Sequence, residues 1–263
     1  MKKNIIYLIL ILFSTFLNAN EKIVLQLKWF HQFQFAGYYA AKEKGFYDEV
    51  GLNVEIRQRD LKYNNIDEVI NGNAQYGVAD SILILYRLKQ QPVVIVSPIF
   101  QHSPSVFISL KKSNISSVYE LNNKDILFYP NDTDGFSLLA MIKKFDLDVN
   151  LVRERYKDDY MRLINNEVDV MPAYIANEPF LFKEKGYDVN IINPTNYGFD
   201  MYGDMLFTNE DEAKNNPDRV EKFKEATLKG WKYALENKEE IIQLINEKYS
   251  KEKKCCLKFD KPS

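Results

Sequence analysis

The sequence predicts an α/β fold made of two lobes, and three observations carry this prediction. Short apolar stretches typical of buried strands alternate with amphipathic stretches typical of helices from residue 23 to residue 249. The β-branched run over 93–96 follows Pro92 and suits a buried parallel strand. A second alternating set begins near Val106, and a return strand follows it. We therefore expect mostly parallel sheets with helices on both faces.

The first set of segments forms the first predicted lobe. An apolar strand leads through an aromatic turn into a helix, and Gly72 ends the next helix. Asp80-Ser81 follows a short buried strand and begins a further helix. The expected strands are 23–27, 52–56, 76–79 and 93–96, and the expected helices are 40–47, 66–71 and 82–89.

The second set forms an inserted lobe, after which the chain returns to the first. The expected strands are 106–110, 125–128, 149–152, 168–171 and 189–192, and the expected helices are 136–145, 158–165 and 180–185. A return strand over 204–208 precedes a long amphipathic helical region from Pro217 through Tyr249. Lobe 1 then comprises 20–104 and 201–263, lobe 2 comprises 105–200, and the chain crosses near Ser105 and Asp200.

The N-terminus has the pattern of an export signal. Lys2 and Lys3 precede an apolar run over 5–13, and Leu17-Asn18-Ala19 offers a cleavage site. The apolar run is shorter than the roughly 20 residues that span a bilayer. We expect residues 1–19 to be removed and the protein to be periplasmic, with an uncleaved membrane anchor as the alternative.

Charge and cysteine content exclude several classes of function. The chain carries 35 basic and 37 acidic side chains, and the signal takes away two of the lysines, so no basic surface for nucleic acid is expected. Its two cysteines, Cys255 and Cys256, are adjacent and poorly placed for a disulfide. No zinc spacing, phosphate loop or dinucleotide fingerprint occurs. We expect no catalytic residues, no metal and no cofactor.

The aromatic turn over 28–39 is the first candidate binding segment. It lies where a strand meets a helix, which is where open α/β sheets collect ligands. Trp29 suits a stacking platform for a flat molecule, and His31, Phe35 and Tyr38 are further candidates. The alternative is that these rings fill the core and His31 holds the turn.

Three polar segments complete the predicted site. Asp80 and Ser81 follow a strand, and Asp80 either binds a ligand amino group or caps the next helix. The turn Asp132-Thr133-Asp134-Gly135 places carboxylates where anion-binding proteins use free N–H groups. It therefore favours a neutral or cationic ligand, although both acids are also ordinary capping residues.

The third segment combines a phenol, an amide and an acid. Tyr174 precedes Asn177 and Glu178 at the start of a helix. These groups suit the polar edge of an aminopyrimidine. A purely structural role is also open, because an acid is favourable in the first turn of a helix.

The chain resembles the thiamine-precursor-binding and thiamine pyrimidine synthase superfamily, which has the type 2 periplasmic binding fold. The resemblance runs from about Lys22 to Tyr249. It rests on the segments 25–29, 37–41, 43–47, 51–54, 77–81, 174–179 and 202–208.

The resemblance implies a pyrimidine bound between the lobes by stacking and by acidic or amide groups. It implicates Trp29, Tyr38, Asp80, Ser81, the turn 132–135, Tyr174, Asn177 and Glu178. It also implies a membrane transporter of the ABC type as the partner. Similar domains occur as extracytoplasmic sensors, whose partner is a signalling protein.

Two departures weigh against synthase chemistry. The histidine that the eukaryotic-type synthase consumes would fall at Leu83, and the stretch 196–202 lacks the cysteines of its iron site. The tail after Tyr249 also departs from the superfamily pattern. We expect an exported protein that binds a thiamine-precursor pyrimidine or similar nitrogenous heterocycle, with a sensor module and a synthase as the alternatives.

Overall fold

The computed structural model describes residues 21–129, 134–154 and 159–250. The expected signal segment, the candidates Asp132 and Thr133, and the Cys255-Cys256 tail lie outside these residues. The described strands are β1 (Glu21–Gln26), β2 (Leu52–Arg57), β3 (Tyr76–Ala79), β4 (Val93–Pro98), β5 (Ser105–Leu110), β6 (Asp125–Phe128), β7 (Asn150–Arg153), β8 (Met171–Tyr174), β9 (Val189–Ile192) and β10 (Met205–Asn209).

The α-helices follow the strands in the alternating order that the sequence predicts. They are α1 (Ala36–Glu43), α2 (Asn65–Ile70), α3 (Leu83–Leu88), α4 (Phe136–Lys144), α5 (Asp159–Ile164), α6 (Glu178–Glu184), α7 (Glu210–Asn215), α8 (Pro217–Glu236) and α9 (Lys238–Lys248). Among the described helices, none has both the length and the apolar character that a membrane span requires.

One five-stranded sheet has the order β2-β1-β3-β10-β4. Strand β1 pairs in parallel with β2 and β3, whereas β10 pairs antiparallel with β3 and β4. Met205 lies opposite Pro98, and Asn209 lies opposite Val93. The chain thus re-enters the sheet between β3 and β4, at the same end at which β4 left it, and β10 therefore runs antiparallel to both neighbours.

The strands between β4 and β10 form two smaller sheets. Strand β5 pairs antiparallel with β8 and β9, and β6 pairs in parallel with β7. The α/β fold is thus present with mixed sheets rather than the mostly parallel ones that the sequence suggested. The reason is that both chain crossings lead into strands that run against their neighbours. The two-lobe boundaries at 105 and 200 stay a prediction.

Helix α1 packs closely against α8 through two glycines. A Cβ atom on Gly230 would lie 2.2 Å from the carbonyl oxygen of Gly37, and one on Gly37 would lie 2.1 Å from the Trp231 ring. The backbones approach to a distance that a side chain would prevent. This contact belongs to a core that also holds Tyr38, Tyr39 and Phe223.

Several element boundaries differ from the predicted ones. The predicted helical region from Pro217 through Tyr249 is divided at Asn237, which lies between α8 and α9 with a non-helical backbone (φ −130°, ψ 51°). Strand β8 begins at Met171, whereas the sequence favoured a strand over 168–171. Helix α7 was not predicted, because its run of charged residues lacks an apolar face.

Candidate functional site

A cavity of about 360 Å³ lies at the ends of several strands. The aromatic turn after β1 and the strand β8 form two of its walls. Helices α5, α6 and α9 contribute side chains to the rest. The lining residues are Lys28, Trp29, Phe30, His31, Gln32, Phe33, Gln34, Tyr129, Asp134, Glu154, Asp159, Tyr160, Met171, Pro172, Ala173, Tyr174, Asn177, Glu178, Leu181, Phe182, Lys185, Ile242, Ile245, Asn246 and Ser250.

The aromatic turn reaches the cavity because β1 continues beyond its last paired residue. The N–H of Leu27 donates to the carbonyl of Arg57 at 2.8 Å, and the N–H of Arg59 donates to the carbonyl of Trp29 at 3.0 Å. Trp29 is half-buried and meets Phe30 edge-on, with ring centroids 5.6 Å apart. An aromatic wall is thereby held at the end of a strand, where a flat ligand could stack.

Buried ionic groups form the floor of the cavity. The Nζ of Lys28 lies 2.7 Å from both Oδ1 and Oδ2 of Asp134, and 3.2 Å from Oδ1 of Asp204. It also donates to the hydroxyl of Tyr174 at 2.7 Å, and that hydroxyl donates to Asp204 at 3.0 Å. All four groups are therefore satisfied, as charges withdrawn from water must be.

The ionic floor fixes the charge of Lys28. Burial alone would lower the pKa of this lysine, but the carboxylates of Asp134, Asp204 and Asp80 outweigh that effect and raise it above its usual value. Burial also raises the pKa of Tyr174, and the nearby Asp204 and Asp134 add to the shift. Lys28 stays cationic and Tyr174 stays neutral, so the floor presents no unpaired positive charge for an anion.

The start of helix α4 is occupied by a protein carboxyl group. Oδ2 of Asp80 accepts from the N–H of Gly135 at 2.9 Å and of Phe136 at 3.2 Å, while Oδ1 accepts from the N–H of Ile82 at 2.8 Å. Gly135 has φ +82°, a conformation that favours glycine. The position at which an anionic ligand would meet free N–H groups is thus filled from within the chain.

A carboxyl group of the protein also accepts hydrogen bonds at the start of helix α6. Oε2 of Glu178 accepts from the N–H of Tyr174 at 2.7 Å, and Oε1 accepts from Nδ2 of Asn177 at 2.9 Å. Burial raises the pKa of Glu178 despite these two bonds. Both oxygens of Glu178 therefore already serve to hold the turn that leads from β8 into α6.

Glu154 differs from the other acids of the cavity. It follows β7, where its N–H donates to the carbonyl of Phe128 at 2.9 Å, and only 7% of the residue is exposed. Its Oε2 is buried and has no hydrogen-bond partner among the residues that the structure describes. Burial, reinforced by the carboxyls of Asp159, Asp134 and Glu178, raises its pKa well above the usual value.

Six of the predicted residues line this one cavity. Trp29 and His31 come from the aromatic turn, and Nδ1 of His31 lies 2.9 Å from the hydroxyl of Tyr39. The other four are Asp134, Tyr174, Asn177 and Glu178. These six residues therefore share one cavity, and their role in binding stays a prediction; the sequence did not reveal that the oxygens of Glu178 and Asp134 already have partners within the protein.

Four predicted residues lie outside the cavity wall. Phe35 and Tyr38 are fully buried in the core, and Tyr38 meets Trp231 edge-on at 5.8 Å. Both belong to the same hydrophobic core as the α1–α8 contact, and α1 begins at Ala36, earlier than the sequence suggested. Asp80 caps two helix starts, and Oγ of Ser81 donates to the carbonyl of Tyr202 at 2.7 Å. None of these four side chains is among the residues that line the cavity.

Several cavity residues were missed by sequence reasoning. Lys28 directly precedes the recognised Trp29, and its ion pair with Asp134 joins residues 106 positions apart. Glu154 follows a predicted strand, and an acid at a strand end was a usable signal. The contribution of Ile242 and Ile245 from α9 had no such signal, because an apolar helix face looks the same whether it packs on a core or lines a cavity.

The geometry suits a small, flat, uncharged or cationic molecule. Aromatic rings form one side of the cavity, and four carboxyl groups (Asp134, Glu154, Asp159 and Glu178) lie around the rest. Within the described ranges, no group of three or more His, Cys, Asp or Glu side chains is arranged as a metal site. The arrangement can bind by stacking and by accepting hydrogen bonds.

Comparison with known proteins finds one matching family and several relatives. The protein family described as NMT1/THI5 like matches residues 32–241. The chain is 26% identical over 236 residues to the riboflavin-binding protein RibY of Chloroflexus aurantiacus, covering 85% of this chain and 65% of that protein. It is 23% identical over 232 residues to a formylaminopyrimidine-binding protein of Halalkalibacterium halodurans, covering 86% and 70%. The chain thus spans less than two thirds of the length of the first relative.

Solved structures show the same fold at low identity. The periplasmic aliphatic sulphonate binding protein SsuA of Escherichia coli superposes with a TM-score of 0.65 at 13% identity, over 86% of this chain and 77% of that one. SsuA of Xanthomonas axonopodis bound to MOPS superposes with a TM-score of 0.64 at 13% identity, over 86% and 78%. These neighbours confirm the two-lobe type 2 periplasmic binding fold.

Proposed function

The chain belongs to the NMT1/THI5-like family, and from this premise we propose that it is an exported solute-binding protein for a small nitrogenous heterocycle. The ligand class is a thiamine-precursor pyrimidine or a similar flat ring. The protein delivers it to a membrane transporter of the ABC type. It captures and releases the molecule without chemical change.

The placement of Trp29 and Glu178 on the same cavity carries this proposal. An indole can stack on a flat ring, and such contacts contribute about 0.5–1.5 kcal/mol beyond burial. The turn that Glu178 holds brings Tyr174 and Asn177 to the same cavity. A site with one aromatic wall and several hydrogen-bonding groups is typical of small-molecule binding.

The charge pattern supports a ligand that is not an anion. Asp80 fills the N–H groups at the start of α4, and Asp134 neutralises Lys28. A sulfonate entering the cavity would meet carboxyl groups, and the N–H groups of Gly135 and Phe136 at the start of α4 already donate to Asp80. This separates the proposed ligand from that of the SsuA structures, whose fold the chain shares.

The relatives support the same class of ligand. One is named for riboflavin and the other for formylaminopyrimidine. Both compounds contain flat nitrogen-bearing rings. The export signal proposed from residues 1–19 and the periplasmic fold are consistent with delivery to a transporter in the membrane.

Native mass spectrometry of protein isolated from a bacterial periplasm tests this function. The expected result is a bound molecule whose mass and fragmentation identify a nitrogenous heterocycle, retained by the wild-type protein and lost in Trp29→Ala. A bound sulfonate or amino acid would contradict the proposal. Protein that emerges empty is titrated with 4-amino-2-methylpyrimidine and with riboflavin, and failure to bind either would also contradict it.

A further inference from the structure

One oxygen of the Glu154 carboxyl group, Oε2, has no hydrogen-bond partner among the described residues, whereas the other acids of the cavity are paired. Asp134 holds Lys28, Glu178 holds the turn before α6, and Asp159 lies 3.1 Å from a guanidinium nitrogen of Arg162. By contrast, Oε2 of Glu154 is buried without a hydrogen bond from any residue in the described part of the chain.

A buried polar atom without a partner is costly to the folded protein. Such groups are rare in native structures, because each carries a desolvation penalty that no hydrogen bond offsets. The Glu154 carboxyl lines the cavity, so a ligand there can supply the missing partner. A leucine at this position would pack without the penalty, which makes binding a reason for the acid to be there.

We propose that Glu154 selects the ligand by pairing with an amino-bearing ring edge. This inference rests on the proposed function and refines it. An N–C–N edge, in which a ring nitrogen lies beside an exocyclic amino group, presents an acceptor and a donor side by side. The ligand class is therefore an amino-substituted pyrimidine or a ring with an equivalent edge.

The chemistry of a carboxyl group fits that edge in either protonation state. A neutral acid donates from its hydroxyl and accepts at its carbonyl, which matches a neutral aminopyrimidine. An ionised carboxylate accepts twice, which matches the protonated ring. The raised pKa of Glu154 extends the range over which the neutral form is present. A ring that offers only carbonyl oxygens along this edge cannot make both bonds.

This assignment shifts the specific contact from Glu178 to Glu154. The two oxygens of Glu178 are already acceptors for Tyr174 and Asn177, so a ligand would have to compete with them. Trp29 then orients the plane of the ligand ring, and Glu154 forms hydrogen bonds with the amino-bearing edge of that ring. Specificity arises because a ligand without the amino group leaves the buried carboxyl unpaired.

A comparison of two matched probes tests the inference. Calorimetric titration of the full chain compares 4-amino-2-methylpyrimidine with 2,4-dimethylpyrimidine, in which a methyl group replaces the amino group. The wild-type protein is expected to prefer the amino compound by about 10- to 100-fold, the range for a hydrogen bond to a charged or buried partner. Glu154→Leu is expected to lose this preference, and Glu154→Gln to keep most of it.

A second measurement does not depend on any ligand. In the ligand-free protein at pH 8, Glu154→Leu is expected to raise the melting temperature by about 2–4 °C, because it removes an unpaired buried acid. The control is Glu184→Leu on the exposed side of α6, which should leave both the melting temperature and the preference unchanged.

The outcomes separate the inference from the proposed function. Equal preference in the wild-type protein and in Glu154→Leu overturns the role of Glu154 while the function stands. Failure of the wild-type protein to bind either pyrimidine or riboflavin overturns the function. A lower melting temperature of Glu154→Leu shows that the acid has a structural partner, and this also overturns the inference.

Discussion

The α1–α8 contact and the floor of the cavity both lie in the interior of the protein, yet they are held together by different interactions. Gly37, Gly230 and Trp231 close the first region by shape, with backbone against backbone. Lys28, Asp134 and the groups around them close the second by charge. The helix contact contributes to stability by packing alone. The cavity floor buries polar groups beside the side chains that a bound ligand would contact. Substitutions in the two regions should therefore differ in their effects on stability.

Removal of the buried cation should have the largest effect. Lys28→Met leaves Asp134 and Asp204 buried without a positive partner, so we expect the free energy of unfolding to fall by about 3–5 kcal/mol. Chemical denaturation measures this change. The control is Lys22→Met, whose ion pair with Glu55 is exposed and should contribute less than about 1 kcal/mol. Equal losses in the two variants would show that the cavity floor is no different from the surface.

Disruption of the α1–α8 contact should cause the second-largest loss of unfolding free energy. Gly230→Ala places a methyl group 2.2 Å from the Gly37 carbonyl oxygen and 2.7 Å from the Ala41 nitrogen. Relief requires the two helices to separate, and we expect a loss of about 1–3 kcal/mol in denaturation experiments. Glu225→Ala, on an exposed position of α8, serves as the control. A neutral Gly230→Ala variant would mean that this contact is loosely packed.

The cavity should make stability depend on pH, whereas the helix contact should not. The folded state raises the pKa of Glu154 above its usual 4.5, so the folded protein holds that proton more tightly than the unfolded chain. The stability this gives is present below pH 4.5 and is lost as pH rises towards the folded pKa, at about 1.4 kcal/mol per pH unit at most.

Glu154→Gln tests the origin of this pH dependence. Between pH 5 and pH 8, the slope of unfolding free energy against pH should become flatter in the variant. Part of the slope should remain, because the pKa of Glu178 is raised as well. The Gly230→Ala variant should keep the wild-type slope, and an unaltered slope in Glu154→Gln would assign the dependence to other groups.

A single hydroxyl of the cavity floor should have the smallest effect. Tyr174→Phe removes the group that accepts from Lys28 and donates to Asp204, while the two direct ion pairs of Lys28 remain. We expect a loss of about 1 kcal/mol in unfolding free energy. Tyr187→Phe is a matched change at a more exposed tyrosine. A loss as large as that of Lys28→Met would make the hydroxyl, rather than the charges, the centre of the network.

The same contrast explains what the sequence could and could not predict. Strand and helix order followed from hydrophobic periodicity, which is a local property. Trp29, Tyr174 and Glu178 were singled out because they lie at or after strand ends, where α/β folds collect ligands, and all three line the cavity although β1 and β8 belong to different sheets. The internal partners of Asp80 and Asp134 could not be found in this way, because each bond joins residues that are distant in sequence. Phe35 and Tyr38 were misplaced because an aromatic residue looks the same in a core and in a cavity.

Titration with a heterocycle and with a sulfonate tests directly whether the cavity binds a nitrogenous ring rather than an anion. Calorimetric titration of the wild-type protein with 4-amino-2-methylpyrimidine and with ethanesulfonate compares the two ligand classes in one cavity. We expect measurable binding of the aminopyrimidine and much weaker binding of the sulfonate, because the carboxyl group of Asp80 already accepts from the N–H groups at the start of α4. Tighter binding of ethanesulfonate would contradict it.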